Sequence, residues 1–207
     1  MRKPDGVFCY TKSIYMSQTI LLIDGENFLH KVKEVLTEKK INLNKVDLSK
    51  FNFELLFNKS LKEFNISRKI FYVAKLHYHI ETKDKSLKLI LFQRYIKTNL
   101  EKQGFEFLIA GNVRGQKIEN KVIFREKGVD VKIAVDLVSM SADKIIKTAI
   151  LCSSDSDLQP AVSEARRRKV EIVYLGFEMN PNKGLAYTTN KTVLFRNSEV
   201  LEACGIK

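Results

Sequence analysis

Aspartate residues recur at three places where a predicted strand ends or a predicted helix begins. Asp24 follows an aliphatic run, Asp155 and Asp157 follow a second apolar run, and Asp130 opens a helical pattern. Short apolar runs bounded by turn residues indicate buried strands, and the carboxyl ends of parallel strands share the sheet edge where α/β proteins bind ligands. Carboxylates gathered there repel one another, so they favour a hard divalent cation, Mg²⁺ or Mn²⁺, as their partner.

Asp136 lies in the same predicted helix as Asp130, six residues further on. The two side chains are then about 120° apart around a helix of 3.6 residues per turn, so one small site cannot take both equally. Asp130 is the better placed ligand. Asp136 is expected to support the site through a hydrogen bond, because it lies in a helix that is apolar nearly all round. For the same reason we predict that this helix is buried.

A simpler interpretation of the first acid is also open. Asp24 and Asn27 precede a helical pattern, and Asp and Asn are good N-caps. Capping explains none of the later acids, whereas a cation explains all three places. We therefore expect Asp24 to be a ligand, with Asn27 beside it and able to serve in both ways.

The elements that must position these acids alternate along the chain. Apolar runs predict strands near residues 20–23, 69–75, 105–110, 147–154, 170–176 and 192–195, with helical patterns between most of them. This alternation predicts a three-layer α/β/α sandwich with a mostly parallel central sheet. We expect one domain over residues 19–207 after a tail of residues 1–18, within which Met16 is a candidate start.

The composition favours a polyanionic partner. The 207 residues carry a net charge of +12, and 44% of them are hydrophobic, as in ordinary globular domains. A basic balance of this size is typical of chains that bind nucleic acid. No signal peptide and no membrane helix is predicted, which together with three unpaired cysteines indicates a cytoplasmic protein without a disulfide or zinc framework.

A basic connection precedes Asp130 and contains a short predicted edge strand at residues 122–124. Cations spaced along a loop or hairpin beside an acidic site suit contacts to a phosphate backbone. The candidate nucleic-acid-binding residues are Arg114, Lys117, Lys121, Arg125 and Lys127.

Three motifs together carry a resemblance to a known family. They are Ile23-Asp24-Gly25-Glu26-Asn27, then Lys127-Gly128-Val129-Asp130-Val131 with Ala134-Val135-Asp136-Leu137, then Ser154-Asp155-Ser156-Asp157-Leu158. In this order and at these strand and helix ends, they resemble the NYN domain family. More narrowly, they are similar to the LabA-like members of the PIN-like nuclease superfamily. The resemblance is strongest over residues 19–176.

The resemblance implies a metal-dependent ribonuclease in which Asp24, Asp130, Asp155 and Asp157 hold Mg²⁺ or Mn²⁺. Asn27 matches the family's amide after the first acid, and Asn27 and Ser154 would position the substrate or a water molecule. Hydrolysis would leave a 5′-phosphate and a 3′-hydroxyl. RNA is favoured over DNA as the partner, and the oligomeric state stays open, with a homodimer among the alternatives.

Two other classes compete with this interpretation. A Toprim-like phosphotransfer enzyme also pairs a first-strand acid with a later Asp-x-Asp, but its first acid is a glutamate and it gives Asp130 no role. A non-catalytic RNA-binding or regulatory module with the same fold is the second alternative. Phosphatase and dinucleotide-binding patterns fit less well, because Glu26 breaks the former and a lone Gly25 does not supply the latter.

Overall fold

The computed structural model describes residues 18–78, 80–118 and 121–206, with the side chains of residues 81 and 114–126 outside that description. The expected tail and the candidate start at Met16 therefore lie outside the described residues. The strands are β1 (Gln18–Asp24), β2 (Arg68–Lys75), β3 (Glu106–Ile118), β4 (Lys121–Lys127), β5 (Ile146–Cys152), β6 (Glu171–Phe177) and β7 (Lys191–Phe195). The α-helices are α1 (Gly25–Glu38), α2 (Phe53–Ser60), α3 (Lys83–Lys102), α4 (Val129–Ala142), α5 (Gln159–Arg167), α6 (Lys183–Thr188) and α7 (Asn197–Ala203).

The strands form one sheet in the order β4-β3-β2-β1-β5-β6-β7. All neighbouring pairs are parallel except β3 with β4, which is an antiparallel hairpin at the edge. From β1 the chain first builds outward through β2 and β3, and then returns to the other side of β1 with β5. The strand order thus reverses between β1 and β5, and open α/β sheets place their ligands at the carboxyl ends of the strands on either side of such a reversal.

Two helical layers cover the sheet, as predicted for a three-layer sandwich. Residues of α1, α2, α3 and α7 pack in one apolar cluster, and residues of α4, α5 and α6 pack in the other. The strands alternate between these clusters: Leu21 and Ile23 face the α1 side, whereas Ile20 and Leu22 face the α4 side. Successive side chains of a strand point to opposite faces, so position 24 continues the α4 side.

Phenylalanine rings dominate the cluster on the α1 side. Phe28 of α1 lies within 5.5–6.3 Å, between ring centroids, of six other phenylalanine rings. Aromatic pairs in tilted and edge-to-face arrangements each add about 0.5–1.5 kcal/mol beyond the area they bury. This packing fixes α1, and with it the loop between β1 and α1 that carries Asp24.

Helix α4 corrects one expectation. Val129, Ile133 and Leu137 are buried, but Val131 and Val135 are 59% and 52% exposed. The helix therefore has one side against the sheet and α5 and another in solvent, despite its apolar sequence, because Val131 and Val135 lie on the side that no other described element covers. The apolar composition of α4 therefore does not determine which of its residues are buried.

The basic connection proves to be the β3–β4 hairpin. Strand β3 runs beyond the predicted residue 110 to Ile118, and β4 pairs with it from Lys121 to Lys127. The predicted short edge strand at residues 122–124 is thus confirmed within a longer strand. The side chains of Arg114, Lys117, Lys121 and Arg125 lie outside the described residues, so their contacts stay a prediction.

Candidate functional site

Asp24 stands at the carboxyl end of β1 beside the point where the strand order reverses. Its carboxylate accepts a hydrogen bond from the Asn27 N–H at 3.1 Å, so Asp24 is the N-cap of α1. The sequence left capping and ligand binding as alternatives, and the cap is present. The side chain is only 8% exposed, which is unusual for an aspartate. A cap uses one carboxylate oxygen, so this side chain keeps acceptor capacity for a ligand.

Gly25 allows α1 to begin directly against the sheet. A Cβ atom at this position would lie 2.6 Å from the carbonyl oxygen of Tyr72 and would collide with the ring of Phe71. Tyr72 is the β2 residue paired with Asp24. The glycine of the first motif is therefore required by a close approach of backbone to backbone, which keeps the Asp24 carboxylate at the sheet edge.

Ser153 connects two of the predicted acids. Its hydroxyl donates to Oδ2 of Asp24 at 3.3 Å and accepts from the Asp155 N–H at 3.1 Å. Ser153 is 4% exposed and follows the last residue of β5. The β5 side of the strand-order reversal is thereby tied to the β1 side through a buried hydroxyl.

Asn27 makes a second link across the same point. Its Oδ1 atom accepts hydrogen bonds from both the backbone N–H and the hydroxyl of Ser154, at 3.0 and 2.8 Å. Substrate positioning by Asn27 and Ser154 stays a prediction. What the contacts do is hold the loop after β5 against the first turn of α1, which sets the position of Asp155.

Asp130 enters from a third segment, the first turn of α4. Gly128 caps this helix with φ of +92°, in the left-handed region that glycine adopts readily. Gly128 also lies close to Gly111 of β3, whose own Cβ would meet the Val129 nitrogen at 3.1 Å. Two glycines therefore let the end of β4 and the start of α4 pack tightly against β3.

These three segments line one open cavity of about 610 Å³. Asp24, Asp130 and Asp155 all contribute to it, as the sequence predicted for those acids. The remaining lining residues are Glu26, Asn27, His30, Lys127, Gly128 and Val131. The cavity thus joins carboxylates from β1, α4 and the loop after β5 with a lysine from the basic hairpin.

The pKa of Asp24 is raised to about 6, mainly by burial and to a lesser extent by the negative charges of Asp155 and Glu26, against the hydrogen bonds from Asn27 and Ser153, which lower it. The charged form of this carboxylate is therefore poorly solvated. A cation beside it would supply the missing partner, because an opposite charge favours the ionised form. Perturbed carboxylates in clefts are typical of functional sites.

Two other acids are placed differently. Asp157 does not line the cavity, and its N–H donates to the Asp155 carboxylate at 2.9 Å. Asp136 accepts a hydrogen bond from the Tyr72 hydroxyl at 3.0 Å and forms an ion pair with Lys132. Asp136 thus has the partners that its apolar helix required. It does not line the cavity, but its hydrogen-bond partner Tyr72 is the β2 residue that pairs with Asp24 in the sheet.

The donor set fits a hard divalent cation in kind. Asp24, Asp130 and Asp155 supply oxygen ligands, which Mg²⁺ and Mn²⁺ prefer. As the side chains lie, no group of three or more carboxylate, imidazole or thiol groups among the described residues is close enough together to enclose an ion. Binding would therefore draw the carboxylates inward; Mg²⁺ commonly uses only one or two of them and keeps several waters.

Sequence reasoning missed several residues that shape the site. Ser153 was only part of an apolar run, and Glu26 and His30 were given no role, although both line the cavity. Asn182, beyond the expected motifs, donates its side-chain N–H to the Ser154 carbonyl at 2.8 Å. An Asn before a helical patch is a signal for a cap, which it also is, but nothing in the sequence showed the contact with Ser154.

The fold is a PIN-like α/β sandwich, with acids gathered where the strand order reverses. The family model of the NYN domain matches residues 18–193, and the chain belongs to this family. The match extends past the expected limit of residue 176 and includes Asn182. Comparisons with curated proteins and with solved structures give no significant match.

A nuclease-like domain implies a nucleic acid as its substrate, in agreement with the net charge of +12. Among the described residues, no helix is long and apolar enough to cross a membrane.

Proposed function

We propose that this protein is a metal-dependent ribonuclease that hydrolyses RNA phosphodiester bonds with Mg²⁺ or Mn²⁺. One observation carries the proposal: carboxylates of Asp24, Asp130 and Asp155 from three separate segments line a single cavity. Capping accounts for Asp24 and for Asp155, which caps the short turn after it, but not for their convergence with Asp130. The NYN family match favours this function over the Toprim-like alternative.

In this proposal Asp24, Asp130 and Asp155 hold the cation. Asp157 is proposed as a fourth ligand because it belongs to the family motif, although it does not line the cavity. Asn27 and Ser154 fix the loop after β5 through their hydrogen bonds. When bound, a divalent cation lowers the pKa of water and stabilises charge on the phosphate. Hydrolysis adds water oxygen to phosphorus and breaks the bond to the 3′ oxygen, which takes up a proton.

Lys127 lines the same cavity and is exposed, so it can neutralise a phosphate next to the acids. The other hairpin cations, Arg114, Lys117, Lys121 and Arg125, are proposed to continue this contact along the nucleic-acid backbone. Phosphate contacts of this kind position a substrate without reading its sequence. Such contacts form with RNA and DNA alike, so the cleavage assay compares both nucleic acids.

The test is cleavage of end-labelled single-stranded RNA and of DNA of the same sequence, in Mn²⁺, in Mg²⁺ and in chelator. We expect metal-dependent cleavage of RNA, 5′-phosphate products, and loss of activity in Asp24→Asn with RNA binding retained. Asparagine keeps the cap on α1, so the variant should fold. Equal activity of wild type and Asp24→Asn would show a contaminating nuclease and would reject the proposal. Binding without cleavage by the wild type would favour the non-catalytic module.

A further inference from the structure

A second cavity of about 220 Å³ lies directly beside the acidic one, on the α1 and α3 side of the sheet. Glu26 and His30 line both cavities, so the two are adjacent across the first turns of α1. Its volume is below the roughly 300–1,000 Å³ of sites for drug-sized molecules, which indicates space for one ring system.

Most of the lining is apolar and part of it is aromatic. Leu29 of α1, Phe71 and Val73 of β2, and Phe92 of α3 contribute to the walls. Phe71 is fully buried, whereas Phe92 is only partly buried and packs at the margin of the core. An apolar slot with an accessible aromatic ring suits a planar heterocycle, because bases of single-stranded RNA are bound by stacking on aromatic side chains.

Gln93 gives this slot a polar group with a fixed orientation. Its Nε2 atom donates to the carbonyl oxygen of Ala74 at 2.9 Å. That carbonyl lies where the pairing of β2 with β3 shifts register, between Val73 and Ala74. Because a carbonyl can only accept, the amide nitrogen must face Ala74, and the amide oxygen is left as an acceptor. Gln93 lines the cavity, and among the described residues no hydrogen bond to its Oε1 atom is formed.

We propose that this pocket binds the nucleobase next to the phosphate held at the acids, and that Gln93 selects bases that carry an exocyclic amino group. The Oε1 atom would accept from the amino group of cytosine or adenine, whereas uracil presents a carbonyl at the position where cytosine carries its amino group. In the orientation that cytosine takes, the uracil carbonyl would face the Oε1 atom, and two facing acceptors repel, so uracil is disfavoured. This inference rests on the proposed nucleic-acid substrate and adds a base preference to it.

The comparison of cytosine with uracil isolates the predicted contact, because the two pyrimidines have almost the same shape and stacking area. One hydrogen bond formed with cytosine and not with uracil should favour cytosine by roughly 5- to 10-fold in affinity. Loss of stacking in Phe92→Ala should weaken binding of both pyrimidines by about 10-fold without changing their ratio.

The experiment measures binding of fluorescent oligo(rC) and oligo(rU) to the full-length Asp24→Asn protein at pH 7.5, so that cleavage does not interfere. Gln93→Leu and Gln93→Lys are then introduced in this background. Lysine keeps a donor for the Ala74 carbonyl but has no acceptor, so it separates base selection from the structural hydrogen bond. Both variants should bring the ratio of the two affinities to about one.

Gln103 provides the matched control. It is the C-cap residue of α3, and its Nε2 donates to the Phe51 carbonyl at 3.1 Å. Its Oε1 already accepts from the Glu54 N–H at 2.8 Å, and the residue does not line the pocket. Gln103→Leu should therefore keep the cytosine preference.

Equal affinity for both oligonucleotides in the parent protein, or an unchanged preference in both Gln93 variants, would overturn the pocket assignment. Cleavage by the wild type is scored separately. A nuclease without base preference would reject the pocket and keep the proposed function. A cytosine preference that depends on Gln93, in a protein that cleaves nothing, would reject catalysis and keep the pocket.

Discussion

The Oδ1 atom of Asn27 accepts hydrogen bonds from the backbone N–H of Ser154 at 3.0 Å and from its hydroxyl at 2.8 Å. These residues are 127 positions apart in sequence. One amide oxygen thus fastens the loop after β5 to the helix after β1. The distance between the Asp24 and Asp155 carboxylates depends on this contact and on the neighbouring bridge through Ser153.

Removal of the Asn27 amide should lower the free energy of unfolding more than removal of the Ser154 hydroxyl. Asn27→Ala leaves the half-buried Ser154 N–H without a partner, at about 1–3 kcal/mol, whereas Ser154→Ala keeps the bond to the N–H and should lose about 1 kcal/mol. Urea unfolding of the two variants measures the difference. Equal losses of stability would contradict the prediction that the hydrogen bond from the Ser154 N–H contributes more than the one from its hydroxyl.

The raised pKa of Asp24 predicts how stability depends on pH in the absence of metal. The folded state takes up a proton on Asp24 below about pH 6, and the unfolded state only near its ordinary pKa of 3.8. Stability should therefore fall as the pH rises from about 4 to about 6, and the loss should persist above that range. The effect amounts to at most about 3 kcal/mol.

Asp24→Asn should remove this dependence and stabilise the protein above pH 6 in chelator. Exposed Asp143, which does not line the cavity, is replaced by Asn as the matched control. Thermal unfolding in chelator from pH 4 to pH 8 provides the measurement. Added Mn²⁺ should raise the melting temperature of the wild type and not that of Asp24→Asn; a rise in both would place the cation elsewhere.

The two aspartates after β5 should differ in their contribution to activity. Asp155 lines the cavity, whereas Asp157 lies outside it and contacts Asp155 only through its N–H. We expect Asp155→Asn to lower RNA cleavage by at least about 100-fold, as for a lost electrostatic stabiliser, and Asp157→Asn by about 10-fold. A loss for Asp157→Asn as large as for Asp155→Asn would make Asp157 a full ligand, as its motif implies.

A methyl group at Gly25 should destabilise the fold. Its Cβ would lie 2.6 Å from the Tyr72 carbonyl oxygen, and two backbone segments cannot separate without moving α1. Overpacking of this kind costs about 1–3 kcal/mol. Gly205→Ala has open space around it, with only its positive φ of +75° as a penalty, and should cost less. Denaturant midpoints of the two variants compare them, and equal values would contradict the close approach.

The hairpin lysine at the cavity should contribute to the salt dependence of RNA binding. Each phosphate contact accounts for a slope of about −0.7 in a plot of log affinity against log salt for single strands. Lys127→Ala should therefore reduce the magnitude of the slope by about 0.7. Exposed Lys144 precedes the amino end of β5, whereas the cavity lies at the carboxyl ends of the strands, so Lys144→Ala should leave the slope unchanged. Identical slopes for both variants would remove Lys127 from the interface.

The sequence by itself predicted the α/β sandwich, because apolar runs of strand length alternate with helical patterns along the chain. It also placed Asp24, Asp130 and Asp155 at strand and helix ends, since each follows a run or opens a pattern. These are local signals. They depend on the periodicity of neighbouring residues and on turn chemistry, which a single sequence records directly.

Tertiary structure decided what depends on contacts between distant segments. The alternation of side chains along β1 places Asp24 on the α4 side of the sheet. Its proximity to Asp130 and Asp155 depends on the order of the strands in the sheet, which the sequence does not record. The exposure of Val131 and Val135 could not be predicted from the sequence either, because an apolar helix is buried only where another element covers it. The Ser153 bridge and the fixed amide of Gln93 join residues far apart in the chain, and hydrogen bonds of that range leave no periodic trace in sequence.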